Sequence, residues 1–453
     1  MLRVQQPSDL PPSGLDLKAD AVVIGSGAGG AVAAYQLARS GAKVVVLEAG
    51  PYRPSSEFTE HLASAMLDLY EEGGNQTNKT GDMVVLQGKC LGGSTVVNAA
   101  VCFRAPDPVL ESWGKDFGLD ELSPEAMAPY FDRVEKNLGI HENGSHEVNE
   151  NGRLLMEGAK KLGIPTAPVK RNIRHCALTG HCLSGCKTDR KQSMLVTYLP
   201  WASELGATIL SGARAEHFEV SNKRVTQVTA VATDANGAEK RIQVKAGLVV
   251  VAAGAVQTPL LFQKNAIGNS SGLVGRNFAC HPSTVVFGEY PEDVHAWTGA
   301  TISAYAGDVE HPLSGGCLLE GGMIGPVLTS TAVDGGIGEE LTSFMMANKR
   351  FLSMITPIHD ENVGHVYRDG DRKRIDYDMT DRDFEAMQGA FRAAAQIWFA
   401  AGARRVFLPT LKRVVIEKKS DIDSVINGLR NDKQRYRLTS YHPQGTMRMG
   451  SDP

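Results

Sequence analysis

Apolar and polar positions are arranged in three ways along this chain, and each predicts a different element. Ala21-Val22-Val23-Ile24 and the run from Lys43 to Glu48 are short and almost unbroken in their apolar character, as in parallel strands buried on both faces. Between them, Ala31 to Ser40 has helical composition with Gly41 as its stop. A polar, proline-containing leader, Gln5 to Lys18, is expected to lie extended on the surface, with regular structure starting near Ala19. Asp120 to Gly139 and Gly152 to Leu162 read as helices. Arg214 to Val251 alternates with period two around a hairpin turn at Asp234-Ala235-Asn236-Gly237, and leads into a second buried strand, Gly247 to Ala252.

The stretch from His281 to Lys373 is rich in glycine, threonine and β-branched residues, with strand-like pieces such as Phe344 to Pro357, and predicts a mostly antiparallel sheet. After it, Thr380 and Asp383 form a capping box, and Phe384, Met387, Phe391, Ala394 and Trp398 recur at helical spacing until Gly402 ends the helix. Those large side chains read as core. The chain shows no repeat and no low-complexity tract. With 453 residues it exceeds what one hydrophobic core usually serves, so two or more domains are expected.

Composition narrows the function classes. A net charge of −4 gives no basic excess to attract a phosphate backbone, so nucleic acid is not an expected partner. No apolar run reaches the roughly 20 residues of a membrane helix, and Met1 to Asp20 has neither a charged n-region nor an apolar h-region. A cytoplasmic location is therefore the default, with export beside a partner subunit as the alternative. Seven cysteines, an odd number, do not form a disulfide framework for a chain of this length. Three of them, Cys176, Cys182 and Cys186, crowd into one short loop.

Gly25-Ser26-Gly27-Ala28-Gly29-Gly30 fits G-x-G-x-x-G between a predicted strand and a predicted helix. Gly25 permits the tight turn, Gly27 lets a pyrophosphate approach the backbone, and Gly30 lets helix and strand pack closely. The helix start at Ala28 faces the phosphate charge. Glu48 ends the next strand, at the spacing of a carboxylate that accepts ribose hydroxyls. The unit from Asp20 to Gly50 thus predicts a βαβ grip on the ADP half of NAD or FAD.

Three further segments resemble the glucose-methanol-choline (GMC) oxidoreductases, a family of FAD enzymes. Gly88-Lys89-Cys90-Leu91-Gly92-Gly93-Ser94-Thr95-Val96-Val97-Asn98 is similar to the family's first signature. Ala253-Gly254-Ala255-Val256-Gln257-Thr258-Pro259 is similar to the second, continued by Val274-Gly275-Arg276-Asn277 and His281-Pro282. His442-Pro443-Gln444-Gly445-Thr446-Met447-Arg448-Met449-Gly450 resembles the segment that carries the family's catalytic histidine. The resemblance implies a two-domain α/β protein, with FAD in a Rossmann-like domain beside a second α+β domain built on an antiparallel sheet. It implies cofactor contacts at Gly92, Gly93, Ser94, Asn98, Ala215, Ala253 and Gly254, with a helix starting at Thr258-Pro259. Val97 stands where some members have a flavin-linked histidine, so FAD is expected to be non-covalent. The FAD domain is expected to comprise residues 1–105, 206–281 and 437–453, and the substrate domain 106–205 and 282–436, including the cysteine loop at 176–186.

The chemistry implied is oxidation of an alcohol to a carbonyl, the hydride passing to flavin N5 and His442 acting as base. His281, His175 and His181 read instead as structural or surface residues. The three-cysteine loop resembles that of bacterial glucose dehydrogenases of the family, which carry a 3Fe-4S cluster, although Lys187 stands where those loops have proline. Lys191 to Leu199 is more similar to bacterial long-chain or aryl alcohol dehydrogenases of the family. A cluster would pass electrons to a cytochrome, quinone or other carrier rather than oxygen; three unligated thiols, or a disulfide and one thiol, are the alternatives. In the family the histidine segment is followed by a further one with a second catalytic residue, and the chain ends at Pro453. The C-terminal family segment is therefore expected to be missing, either because the polypeptide is a truncated form or because a completing subunit supplies it. The competing expectations are a flavin-containing lyase and an inactive flavin scaffold.

Overall fold

The apolar runs near the start of the chain form the centre of a six-stranded sheet, in a computed structural model that describes residues 2–309, 317–322, 325–361, 363–430 and 436–451. Pro453 lies outside the described residues. The strand order is Thr208–Leu210, Val44–Leu47, Leu15–Ile24, Glu239–Val251, Arg224–Thr233, Ala213–Ser221. The first four run parallel, and the last two return antiparallel through the expected hairpin, where the Gly237 N–H donates to the Asp234 carbonyl at 3.0 Å. Val44 to Leu47 and Ala21 to Ile24 are buried along their whole length, as strands flanked on both sides must be. Helix Ala28–Arg39 packs on this sheet through Ala31, Ala34 and Ala38, small residues that permit close approach.

The leader differs from its expectation. Strand Leu15–Ile24 begins four residues before Ala19, and its first half alternates between partly covered and exposed positions while pairing with Glu239–Val251. Gln5 bridges Leu210, and Leu10 is buried. The extension has a simple cause: the long neighbouring strand offers backbone partners that a polar leader can use without being apolar.

The second sheet has seven strands, all antiparallel, in the order Val414–Ile416, Arg405–Leu408, Val285–Glu289, Phe351–Ile355, Leu319–Gly322, Ile302–Ala306, Thr166–Pro168. Helices Glu150–Lys161 and Asp381–Ala401 cover one of its faces. The latter has the expected capping box at Thr380 and a left-handed Gly402 at its end, and it buries Phe384, Met387, Phe391, Ala394 and Trp398. Each such large side chain contributes about 1.5–3 kcal/mol of burial. The strand expected at Phe344 to Pro357 is shorter: Phe344 belongs to helix Glu339–Met346, and the strand occupies only Phe351–Ile355. Phe344 is apolar because the helix packs it on Phe351 and Phe407, a contact that period-two reading does not distinguish from a strand.

Two long-range pairings set up the site. Leu438–Ser440 runs parallel to Met83–Val85, so the chain entering His442 lies beside the chain entering Gly88 to Asn98. Ala279 and Gln444 exchange backbone hydrogen bonds of 3.1 and 2.8 Å, which binds the His281 turn to the His442 turn.

Candidate active site

The nucleotide loop closes on itself through glycines. Gly25 has φ +96°, and a Cβ on Gly30 would overlap the Gly25 carbonyl, so helix and turn meet backbone to backbone. A Cβ on Gly93 would lie 2.8 Å from the Gly27 Cα, so the loops Gly25–Gly30 and Gly92–Gly93 touch without side chains between them. Ala28 begins the helix, whose first N–H groups face outward beside that contact. This bare, N–H-rich cradle fits the pyrophosphate of FAD. Ala215, on the sheet edge strand opposite Ala230, and Ala253, before helix Gly254–Lys264, are both partly exposed.

Glu48 is buried. Its Oε2 accepts from the Ser26 N–H at 2.9 Å and the Ser26 hydroxyl at 2.6 Å, and its Oε1 from the Gly50 N–H at 2.7 Å. Burial pushes its carboxyl above the ordinary range against these donors. The carboxylate thus locks the loop first, and its remaining lone pairs are what it could offer a ribose. Ser26 extends the lock, its Oγ accepting from the Gly92 N–H at 2.9 Å.

Ser94 accepts from the Gly88 N–H at 2.9 Å and starts the short helix Ser94–Val97. Asn98 follows, exposed, with its Oδ1 accepting from the Ala100 N–H at 3.1 Å. Among the described residues its Nδ2 has no hydrogen-bond partner, which leaves a donor for a flavin or substrate oxygen. Beneath it lies Lys191, which the sequence did not single out. This buried ammonium donates to the carbonyls of Val96 at 2.6 Å, Asn98 at 2.8 Å and Cys182 at 2.8 Å, and burial pulls its pKa down to about 8.

His442 follows strand Leu438–Ser440 on an exposed turn. Part of its side chain reaches solvent, but surrounding protein desolvates the ring and, with His281 beside it, holds its pKa at about 4. The rings of His442 and His281 are 5.7 Å apart, and His359 lies 6.2 Å from His281. Of the two expectations for His281, structural or surface, its packing beside His442 and His359 fits the first, and burial and His359 lower its pKa to about 4 as well. Its backbone has φ +46°, held there by Asp360, which accepts from the N–H groups of Cys280 and His281 at 3.0 Å each. The sequence carries His-Pro at 281–282, 311–312 and 442–443, and this repetition alone does not say which two meet.

Helix Gly254–Lys264 starts at Gly254, not at Thr258-Pro259, and Pro259 sits inside it. The proline has no N–H for the Ala255 carbonyl one turn earlier. Thr446 Oγ1 takes that carbonyl instead, at 2.6 Å, and so docks the His442 turn on the helix.

The cysteine loop does not gather as a cluster requires. All seven cysteines are free, and among the described residues no group of three or more His, Cys, Asp or Glu is placed to hold a metal ion. Cys176 faces the Arg171 guanidinium at 3.8 Å, while Cys186 accepts from the Lys191 N–H at 3.4 Å, and such donors lower its thiol pKa despite burial. The three thiols line a cavity of about 20 Å³, room for roughly one water. The residues present therefore do not fit a 3Fe-4S cluster.

Residues 66–283 match the family model described as GMC oxidoreductase in its N-terminal part, residues 361–453 match its C-terminal part, and residues 23–55 match an NAD(P)-binding Rossmann-like domain. The expectation of a missing C-terminal segment is thus corrected: that part of the family is built from the strands, long helix and histidine turn already present after residue 361. An uncharacterized GMC-type oxidoreductase of Mycobacterium tuberculosis is 33% identical over 437 residues, which cover 96% of this chain and 68% of that protein. A long-chain-alcohol oxidase of Arabidopsis thaliana is 29% identical over 459 residues, covering 96% of this chain and 60% of its own length. Pyridoxine 4-oxidase from Mesorbium loti superposes with a TM-score of 0.69 at 19% identity, over 96% of this chain and 89% of that one. Among the described residues no helix is long and apolar enough to cross a membrane.

Proposed function

Because the chain belongs to the GMC oxidoreductase family and is an FAD-dependent oxidoreductase, we propose that it oxidises an alcohol to the carbonyl compound with His442 as the base. When bound, FAD supplies a hydride acceptor at N5. In this reading residues 1–105, 206–281 and 437–453 hold the cofactor non-covalently, and residues 106–205 and 282–436 shape the substrate side. Gly25, Gly27, Ala28, Gly30, Gly92 and Gly93 bring backbone to the pyrophosphate, and Glu48 holds the loop and the ribose. Ser94, Ala215, Ala253 and Gly254 line the rest of the grip.

The observation that carries the proposal is the His442 ring, neutral near pH 7 and set at the end of a strand that parallels the one leading to Asn98. A neutral imidazole can take the hydroxyl proton while the hydride leaves the same carbon, so both electrons depart with the hydride and the proton remains on His442. The Asn98 amide can orient the alcohol oxygen. Similarity to long-chain-alcohol oxidases and pyridoxine 4-oxidase favours an alcohol donor and oxygen as the acceptor. A cytochrome or quinone would show as a dye-dependent, oxygen-independent rate.

Anaerobic mixing with a panel of alcohols tests this directly. We expect the flavin's visible band to bleach and to return on admitting air. His442→Ala should slow bleaching by about 10²–10⁴-fold. Since a base must be unprotonated, the rate should fall as pH drops through about 4 and not through the ordinary histidine value. A band unchanged by every alcohol would overturn the proposal and favour a lyase.

A further inference from the structure

Among the described residues the buried carboxylates have donors, with one exception. Glu48 has Ser26 and Gly50, Glu147 has Arg171, and Glu289 has Arg350 and Arg405. Asp360 has the N–H groups of Cys280 and His281, and Asp383 those of Thr380 and Glu361. Glu320, 9% exposed, has neither a side-chain hydrogen bond nor an ion pair among the described residues. Burial alone, opposed by no donor or cation, pushes its carboxyl up to about 7. A buried polar group left without a partner is costly to the fold and calls for an explanation.

Its position supplies one. Leu319 and Gly321 face helix Glu150–Lys161, Leu319 packing in the cluster with Leu154 and Leu155, and Gly321 leaving no more than van der Waals room beside Leu155. Glu320 therefore points to the opposite face of the sheet. There its register partners are Ile355 on one side and Tyr305 on the other. Further along this face, Val285, Phe287, Phe351 and Phe407 are covered by Val333 and Phe344. At the Glu320 end Tyr305 instead packs edge-on against Phe103, at 5.3 Å, and Phe103 is the fifth residue after Asn98. Burial raises the phenol of Tyr441, the residue before His442, and the nearby charge of Glu320 adds a smaller push in the same direction. The carboxyl thus shares its face of the sheet with Tyr305, whose ring packs on the Phe103 that follows Asn98 in the chain.

We propose that Glu320 is the substrate-recognition carboxylate of this site and selects alcohols that carry a protonated amine over neutral alkyl alcohols. This rests on the alcohol-oxidation reading above. An ammonium group donates to the carboxylate and lies against the faces of Tyr305 and Phe103, the surroundings in which organic cations are held. A neutral alkyl chain in the same place leaves the carboxyl without a donor.

The test compares ω-amino alcohols of several lengths, each with the unbranched neutral alcohol of the same length, on the FAD-loaded enzyme. For at least one length the wild type should favour the amino alcohol by about tenfold or more in kcat/KM, carried by KM, and Glu320→Gln should abolish that ratio. Glu320→Met, of similar length, serves as the second variant, and should shift the ratio toward the neutral alcohol. No preference in the wild type, or a preference that survives in both variants, overturns the proposal. If no alcohol reduces the flavin, the oxidation reading fails, and calorimetric titration with hexylammonium chloride decides alone. Binding weakened by about tenfold in Glu320→Gln then supports the carboxylate's role; equal or absent binding refutes it.

Discussion

The loop Gly25–Gly30 and the loop Cys176–Cys186 both lie against the segment that ends at Asn98, and each is defined in sequence by the spacing of one residue type. In the glycine loop that spacing fixes the structure. Gly25 must take a positive φ, Gly30 must lie against the Gly25 carbonyl, and Glu48 closes the turn with two hydrogen bonds from Ser26 and one from Gly50. In the cysteine loop the spacing fixes only nearness along the chain. Cys176 turns to Arg171 and Cys186 to backbone N–H groups, while Cys182 lends its carbonyl, not its sulfur, to Lys191. Glycines specify by what they lack, and every neighbour enforces that. Thiols specify a metal site only if the backbone aims them at one point.

Four variants test this contrast, from the largest effect to the smallest. Gly30→Val places side-chain carbon in the Gly25 carbonyl and should cost about 3 kcal/mol or more in chemical denaturation, with loss of bound FAD on gel filtration. Retained FAD with an unchanged midpoint would show that the close approach is dispensable. Gly445→Ala, at φ +86° against the Asn277 carbonyl, shifts the His442 turn and should slow anaerobic flavin reduction by about 10²-fold. An equal rate would mean that the base tolerates displacement. Ser26→Ala strips two hydrogen bonds from the Glu48 lock and should cost about 1–3 kcal/mol of stability. Replacing Cys176, Cys182 and Cys186 together by serine should change stability by less than about 1 kcal/mol and leave flavin reduction as it was. Iron that co-purifies with the wild type and vanishes in this variant, with an EPR signal to match, would restore the cluster and erase the difference between the two loops.

The same contrast explains what was legible beforehand. The parallel strands at Ala21 and Val44, the hairpin at Asp234 and the helix from Thr380 to Gly402 follow from patterns of ten to twenty residues, because burial period and capping act locally. The strand at Phe344 and the helix start at Thr258 were misplaced because a distant partner decided them. Phe344 answers to Phe351 and Phe407, and the Ala255 carbonyl freed by Pro259 answers to Thr446. Lys191 and Glu320 left no local trace at all, since a lysine is recognised as a buried brace only by the three carbonyls around it.

By itself, then, the sequence determined the Rossmann-like unit and the family, since glycine geometry and short motifs depend on near neighbours. Tertiary structure alone decided the rest. It set His281 beside His442 and Asp360 against the His281 backbone, turned Cys176 and Cys186 to different partners, and left Glu320 without a donor among the described residues. The physical reason is that the protonation state and direction of a side chain are fixed by the dielectric and the donors around it. Those come from strands and loops hundreds of residues away.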